Sequence, residues 1–396
     1  MKLTEIIQIK KSKELSKLCH LAKNLYNLSN WYYRQEFFNL GNFLSYYDLD
    51  FILKHHECYK NLPAQTSQQI LKLVIQNWKS YFRAKREWNI NKFKFKRVPK
   101  IPKYKRKDGE FIVIFTNQNA RIKDDGCLHF PKKCDLKPVK TRIMKFQQVR
   151  VIPFGDRYKI EIIYEREPKD LGLNKDAVLS IDLGLNNLIT AVNNIGLKPF
   201  IVKGGNVKSV NHYYNKQLAH YRSIESKKGN LVDTKRIRRL HLKRNIKIMD
   251  HFHKISKKVI TYCNENDIGT VVIGYNEGWK QKCTIGRVNN QKFVQIPFNK
   301  LIKQIAYKGE LIGIDVVSID ESYTSKCSFL DGEEIKKHSK YTGKRVKRGL
   351  FKSHIGIIIN ADVNAGYNIM KKAFPNSINE DGIQGLVLNP QIIKIS

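Results

Sequence analysis

A chain of 396 residues, 41% hydrophobic and 11% aromatic, has material for two or three packed domains, which excludes a disordered polypeptide. Its 73 Lys and Arg against 35 Asp and Glu give a formal charge of +38, more than solubility requires, and the excess points to a polyanionic partner, nucleic acid first. No run approaches the ~18 apolar residues of a membrane span, and the start "MKLTEIIQIKKSKE" lacks a signal-peptide core, so a cytoplasmic, nucleoid-associated protein with no membrane attachment is expected.

In chain order, residues 1–10 alternate as a short strand. "LSKLCHLAKNLYNLSNWYYRQEFF" and "PAQTSQQILKLVIQNWKSYFRAKREW" then place apolar residues three and four apart and predict two helices, the second opened by Pro63 and capped by Thr66 or Ser67. Trp31, Tyr32, Tyr33, Trp78, Tyr81 and Phe82 read as core rather than base-stacking platforms. "NKFKFKRVPKIPKYKRK" is basic and broken by proline. Lys94, Lys96, Arg97, Lys103, Lys105 and Arg106 suit an extended segment along a nucleic-acid backbone, with Phe93, Phe95 and Tyr104 available to stack. The strand-like runs up to residue 167 predict a small β-barrel built with the N-terminal strand, the helices being inserted between its strands.

Beyond Pro168, "AVLSIDLG", "LITAVNN" and "PFIVKGG" predict three antiparallel strands, followed by a long helical stretch over about 206–265. Then come strand "GTVVIG", helix "PFNKLIKQIAYKGELIG", strand "IDVVSIDES" and helix "NADVNAGYNIMKKAF". Three strands, then helix, strand, helix, strand, helix is the order of a ribonuclease-H-like α/β fold. The expected organisation is therefore a barrel from 1–10 and 91–170, a helical domain at 11–90, a nuclease-like α/β domain from 171–322 and 355–376, a basic insert at 323–354, and a tail at 377–396.

In that order Asp182 ends the first strand and Asp362 falls in the first turn of the last helix, where Asn360 can cap. The fold brings both acids to one sheet edge. Carboxylates there suit magnesium, and a pair of such ions activates water and stabilises the leaving oxygen of a phosphodiester. The seven cysteines include no C-x-x-C pair, which argues against a disulfide framework and against a zinc ribbon of usual spacing.

Several linked segments, "SIDLGLNNLITAV", "RNIKIMDHFHKISKKVI", "NNQKFVQIPFNKLIKQIAYKGELIGIDVV", "ESYTSKCSFLD" and "NADVNAGYNI", resemble the TnpB family of transposon-encoded RNA-guided nucleases. The likeness extends upstream through "LPAQTSQQILKLVIQNWKSYFRA" and "FTNQNARI". It implies a wedge-type β-barrel with an inserted helical recognition domain and a RuvC-like nuclease domain. It also implies a guide RNA from the element's own end and a double-stranded DNA target with a short adjacent motif; the sequence leaves monomer and homodimer both open. The family's catalytic set is an Asp on the first strand, a Glu on the fourth and an Asp before the last helix; Asp182 and Asp362 match the first and third.

The second acid is absent from its usual place, where "TVVIGYNEGWKQ" carries Gly274. Neighbouring parallel strands lie about 4.8 Å apart, so Glu321 on the next strand is the favoured third magnesium ligand. Asp320 is a rival on strand parity, and Glu277 in the glycine-flanked loop is another. An inactive nuclease, acting as an RNA-guided DNA-binding repressor, is the alternative reading. The family's four-cysteine ribbon is also reduced to Cys327, with His338 and His354 at unsuitable spacing, so no zinc is expected. The insert instead concentrates lysine and arginine, among them Lys344, Arg345, Lys347 and Arg348, suited to target-strand or guide phosphates. Trp279, Lys280, Arg287, Asn290 and Gln291 are expected to order a loop over the site or hold RNA. Lys235, Arg236, Arg238, Arg239, Lys243 and Arg244 are expected to grip a heteroduplex backbone.

Overall fold

The computed structural model describes residues 1–229, 234–276, 286–377 and 388–395, which form two compact units, Met1–Arg166 and Glu167–Ser396. No helix among the described residues is long and apolar enough to cross a membrane.

In the first unit β1 (Lys2–Lys10) leads into α1 (Lys13–Leu40), the short α2 (Tyr46–Leu53) and α3 (Glu57–Lys60), and α4 (Ala64–Ile90). Ser12 caps α1 by accepting from Leu15 N, and Gly41, at φ 67°, ends it in the left-handed conformation that glycine adopts without penalty. Trp78 is fully buried, stacked on Tyr33 at 4.4 Å, and donates Nε1 to Asn30 Oδ1 (2.9 Å), whereas Trp31 is 46% exposed. Neither Thr66 nor Ser67 caps α4. Pro63 precedes its first turn, and both hydroxyls are buried in tertiary bonds, Ser67 Oγ donating to Tyr59 O and Thr66 Oγ1 accepting from Asn119 Nδ2.

Six strands follow: β2 (Val113–Thr116), β3 (Arg121–Ile122), β4 (Cys127–His129), β5 (Val139–Lys140), β6 (Gln148–Phe154) and β7 (Arg157–Glu165). They make two open sheets, β1-β7-β6-β2 and β3-β4-β5, so the expected barrel does not close among the described residues. The physical reason is that residues of β2, β6 and β7 share one hydrophobic cluster with those of α1 and α4; the sheet covers its face with helices instead of curling onto itself.

The second unit begins with β8 (Val178–Asp182), β9 (Asn187–Asn193) and β10 (Phe200–Lys203), an antiparallel meander as expected. The long helical stretch is two helices, α5 (Gly205–Lys227) and α6 (Lys235–Glu265). Next are β11 (Thr270–Gly274), α7 (Arg287–Val294), α8 (Phe298–Glu310), β12 (Asp315–Ile319), a small sheet of β13 (Lys344–Lys347), β14 (Leu350–Lys352) and β15 (Ile358–Asn360), then α9 (Ala361–Ala373) and β16 (Gln391–Ile393). The main sheet runs β12-β11-β8-β9-β10-β16, with β11 and β12 parallel to β8. One apolar cluster joins it to α6 and α8 and another joins it to α9. Covered on both faces, β8 and β11 read as continuous apolar runs. Within the tail, Gln391–Ile393 extends the sheet beside β10.

Gly204 fixes the turn between β8 and β9 against the start of α5. A Cβ there would stand 2.4 Å from Leu185 O, and its N–H donates to Asn186 O (2.7 Å). Gly204→Ala should therefore destabilise this unit by about 2 kcal/mol, because the clash is with backbone that cannot rotate away. Thermal unfolding measures it, and an unchanged transition would show that this turn yields freely.

Candidate active site

Asp182 leaves the sheet at the carboxyl end of β8. Ile181 is in register with Ile273, so Gly274 stands beside Asp182 at the same strand end, and Gly274 is in turn in register with Ile319 of β12. Two residues beyond Ile319 the chain turns inward at Glu321, whose N–H donates to Asn276 Oδ1 (2.8 Å). Glu321 Oε2 is buried, has no hydrogen-bond partner among the described residues, and lies 3.1 Å from where a Cβ on Gly274 would be. A carboxylate thus occupies the space beside the glycine, reached from the adjacent strand.

Asp362 arrives from the other direction. Asn360 caps α9 as expected, accepting from Asp362 N (3.0 Å) and Val363 N (3.2 Å). The helix is pinned to the sheet by Ser180 Oγ donating to Gly366 O (2.8 Å), and Gly366 lets it approach to where a Cβ would be 3.1 Å from Val192. Asn364 and Asn368, one turn apart, tie α9 to the loop after Glu321. Asn364 Nδ2 donates to Cys327 O (2.9 Å), and Asn368 Nδ2 to Thr324 O and Cys327 O (both 2.8 Å).

The electrostatics reflect this convergence. Burial, then the charges of Asp362 and Glu321, hold the Asp182 carboxyl well above its ordinary value, with Arg345 acting in the opposite sense. Burial, with a contribution from Asp320, pushes Glu321 up to about 7. Asp320 itself faces outward to Lys372 Nζ (3.2 Å) and Ser322, and its pKa is lowered despite some burial. Of the three candidates for second acid, Glu321 approaches Asp182, Asp320 points away, and Glu277 lies outside the described residues.

No group of three His, Cys, Asp or Glu that could hold a metal ion is drawn together among the described residues. The donor chemistry nevertheless suits a hard divalent cation: the charges of Asp362 and Glu321 act on the buried Asp182, and the buried Glu321 Oε2 is unpartnered among the described residues.

A residue outside the sequence expectation supports Asp362. Asn187, at the start of β9, donates Nδ2 to Asp362 Oδ2 (2.7 Å) and accepts from Lys203 Nζ (3.0 Å). The signal was an amide opening an otherwise apolar strand directly after "DLGLN".

A family model described as a probable transposase, OrfB of IS605, matches residues 161–280, and a Cas12f1-like TNB domain matches 298–369. The TnpB-like protein ORF457 of Acidianus two-tailed virus is 23% identical over 93% of this chain and 85% of its own length. These matches agree with the resemblance to the TnpB family carried by the sequence motifs. The CRISPR-associated endodeoxyribonuclease Cas12f2 of a Micrarchaeota archaeon (strain CG1_02_47_40) is 27% identical over 56% of this chain, which spans 41% of that protein. Among solved structures, a Cas12f1-sgRNA-target DNA complex superposes with TM-score 0.53 at 16% identity, covering 89% of this chain and 81% of that one, a likeness of fold. At the position where the resemblance expects the second acid the chain carries Gly274, and of the expected ribbon cysteines it carries Cys327.

The insert is a small β-sheet on a buried carboxylate. Glu333 accepts from Ser328 N (2.7 Å) and Thr342 N (2.8 Å), and Phe351 packs against Gly343. Lys344, Arg345, Lys347 and Arg348 are exposed on it.

The other expected nucleic-acid residues divide. Lys235, Arg236, Arg238, Arg239 and Lys243 are exposed along α6, and Arg236 lies over Tyr221 at 5.3 Å. Arg244 is instead committed internally, Nε to Asn211 Oδ1 and an Nη to Gln295 O (both 2.7 Å), because it joins α5 to the residue after α7. Gln291 is exposed and Asn290 partly so; Arg287 opens α7, and Trp279 and Lys280 lie outside the described residues. In the first unit Lys96, Arg97, Lys103 and Tyr104 are exposed, Lys94 reaches Glu87 (3.4 Å), and Arg106 reaches Asp108 (3.4 Å). Lys105 is turned inward over Tyr26 and Phe111, where burial lowers its pKa, so it serves to fasten this segment to α1.

The raised pKa of Glu321 sets a pH dependence. Below the ordinary carboxylate range both folded and unfolded chains hold the proton. As pH rises from there through about 7 the unfolded chain ionises freely and the folded one resists, so metal-free stability falls. Glu321→Gln should raise the melting temperature in EDTA at pH 8 and change it little at pH 5, with a ceiling of about 3 kcal/mol. A gain of equal size at both pH values would mean that ionisation of Glu321 is not its source.

Proposed function

We propose that the chain is an RNA-guided, magnesium-dependent DNA endonuclease of a transposable element, acting in the cytoplasm on nucleoid DNA through a RuvC-like site. The observation that carries it is the Glu321 carboxylate beside Gly274, which returns a third acid to the pocket of Asp182 and Asp362. The matches to the probable-transposase and Cas12f1-like models and the nuclease name of the Cas12f2 relative support the same reading.

Asp182, Glu321 and Asp362 would hold two magnesium ions, which supply an activated water and charge compensation at the leaving 3′ oxygen. The protein's own part is preorganisation. Asn187 and the Asn360 cap orient Asp362, the end of β8 fixes Asp182, and Asn276 anchors the backbone of Glu321. Arg345 carries positive charge toward Asp182, where a phosphate would enter. Guide RNA from the element's end and a DNA duplex with a short adjacent motif are the proposed partners. The first unit, its sheet standing for the wedge and its helices for the recognition domain, reads that motif.

The test is plasmid cleavage by protein purified with its copurifying RNA. Asp182→Asn, Glu321→Gln and Asp362→Asn should each reduce cutting by about 100-fold or more, whereas Asp320→Asn should stay within a few-fold of wild type. Cleavage that survives in Glu321→Gln would remove that residue from the site. A wild type that binds target and never cuts would replace the endonuclease with a DNA-binding repressor.

In a separate experiment, magnesium should raise the melting temperature of wild type more than that of Asp182→Asn at the same pH, by mass action on the folded state alone. Equal shifts would place the ions elsewhere.

A further inference from the structure

The candidate acidic site has a basic rim of which the sequence reading assigned only Arg348. Its first members hang on the β8–β9 turn. Asn187, which donates to Asp362 Oδ2, accepts from Lys203 Nζ (3.0 Å) at the end of β10. The preceding residue, Asn186, accepts from Lys208 Nζ (2.8 Å) near the start of α5, while its carbonyl is held by Gly204 N. Both ammonium groups are therefore fixed within two residues of the turn that supports a catalytic acid.

Arg348 comes from the opposite side. It sits in the turn between β13 and β14, and the next residue, Gly349, accepts through its carbonyl from Ala361 N (2.9 Å), immediately before Asp362. Lys203 and Lys208 thus sit on neighbouring asparagines, the backbone beside Arg348 is bonded next to Asp362, and burial with the like charges of Lys292, Arg348 and Lys203 lowers the pKa of Lys208. Gathering like charges is unfavourable by itself. The amide side chains of Asn186 and Asn187 orient Lys203 and Lys208 without neutralising them, which leaves a concentrated positive potential at the lip of a negative pocket. That is the charge pattern for a backbone whose reacting phosphate enters the acids while a neighbouring phosphate remains outside.

We propose that Lys203, Lys208 and Arg348 form a positioning site for the phosphate adjoining the scissile one in a single DNA strand. The word scissile rests on the endonuclease reading above; the phosphate contact itself does not. A single strand is favoured because the cations converge on one edge of one pocket instead of tracking a duplex face.

Two arms test it. In EDTA, where nothing is cut, the RNA-loaded protein is acetylated at lysine with and without single-stranded DNA and read residue by residue by mass spectrometry. DNA should lower the reactivity of Lys203 and Lys208 about threefold or more beyond the level with guide RNA alone. Unchanged reactivity, or full protection by the RNA alone, would overturn the proposal.

In magnesium, cutting is measured on DNA carrying a neutral methylphosphonate at each phosphate flanking the cut. Wild type should lose about tenfold at one adjoining position, and Lys203→Ala/Lys208→Ala should lose about as much on ordinary DNA with no further loss from the methylphosphonate. Lys203→Arg/Lys208→Arg should recover most of the rate. The same methylphosphonate penalty in wild type and alanine variant would overturn the contact. Protected lysines in a protein that never cuts would retain the contact and remove the endonuclease.

Discussion

Burial of carboxylates beside one another is the constraint on which the candidate site turns. Burial of Asp182 at a strand end, and then the charges of Asp362 and Glu321, raise its pKa well above the ordinary value. Such an assembly opposes folding at neutral pH unless countercharge is supplied. The fold supplies the framework that keeps the acids there. A sheet covered on both faces, a helix seated by Gly366 against Val192, and asparagines that lock α9 to the neighbouring loop all resist relaxation. Countercharge comes partly from Arg345 on the inserted sheet. In a chain of net charge +38 the pocket is a small negative island inside a positive field, which is the electrostatic requirement for drawing in a phosphate backbone and cations together.

A carboxylate just past the end of one parallel strand can reach the end of its neighbour. Gly274 and Ile319 are in register, so a side chain two residues past Ile319 can turn back across the gap to the space beside Gly274. The two positions are also mutually exclusive in part. A Cβ at 274 would come within 2.5 Å of Ile369 Cδ1 and 3.1 Å of Glu321 Oε2, so the glycine and the glutamate form one packing solution. Asp320, one residue earlier, is on the outward side of the turn and finds Lys372 instead.

In the insert a single buried carboxylate, Glu333, gathers backbone N–H groups from residues 328 and 342. Phe351 fills the space behind Gly343, and β15 leads without a break into the Asn360 cap. The insert is thereby coupled directly to Asp362, and its exposed cations stand near the chemistry.

What the sequence by itself determined was the order of β8, β9, β10, β11, α8, β12 and α9, the strand-end position of Asp182 and the capped helical turn of Asp362, because alternation, helical spacing and capping are local and leave periodic traces. The charge excess likewise needed only counting. Which of Glu321 and Asp320 turns inward was decided by tertiary structure, since a residue beyond the last paired position has no parity to obey. So were the open sheets of the first unit, where burial against α1 and α4 outcompeted closure, and the internal roles of Lys105 and Arg244, whose cations read from sequence like any exposed charge. The links from Lys203 to Asn187 and from Asn187 to Asp362 belong to the same class: they join residues up to 175 positions apart through hydrogen bonds that only the folded chain creates.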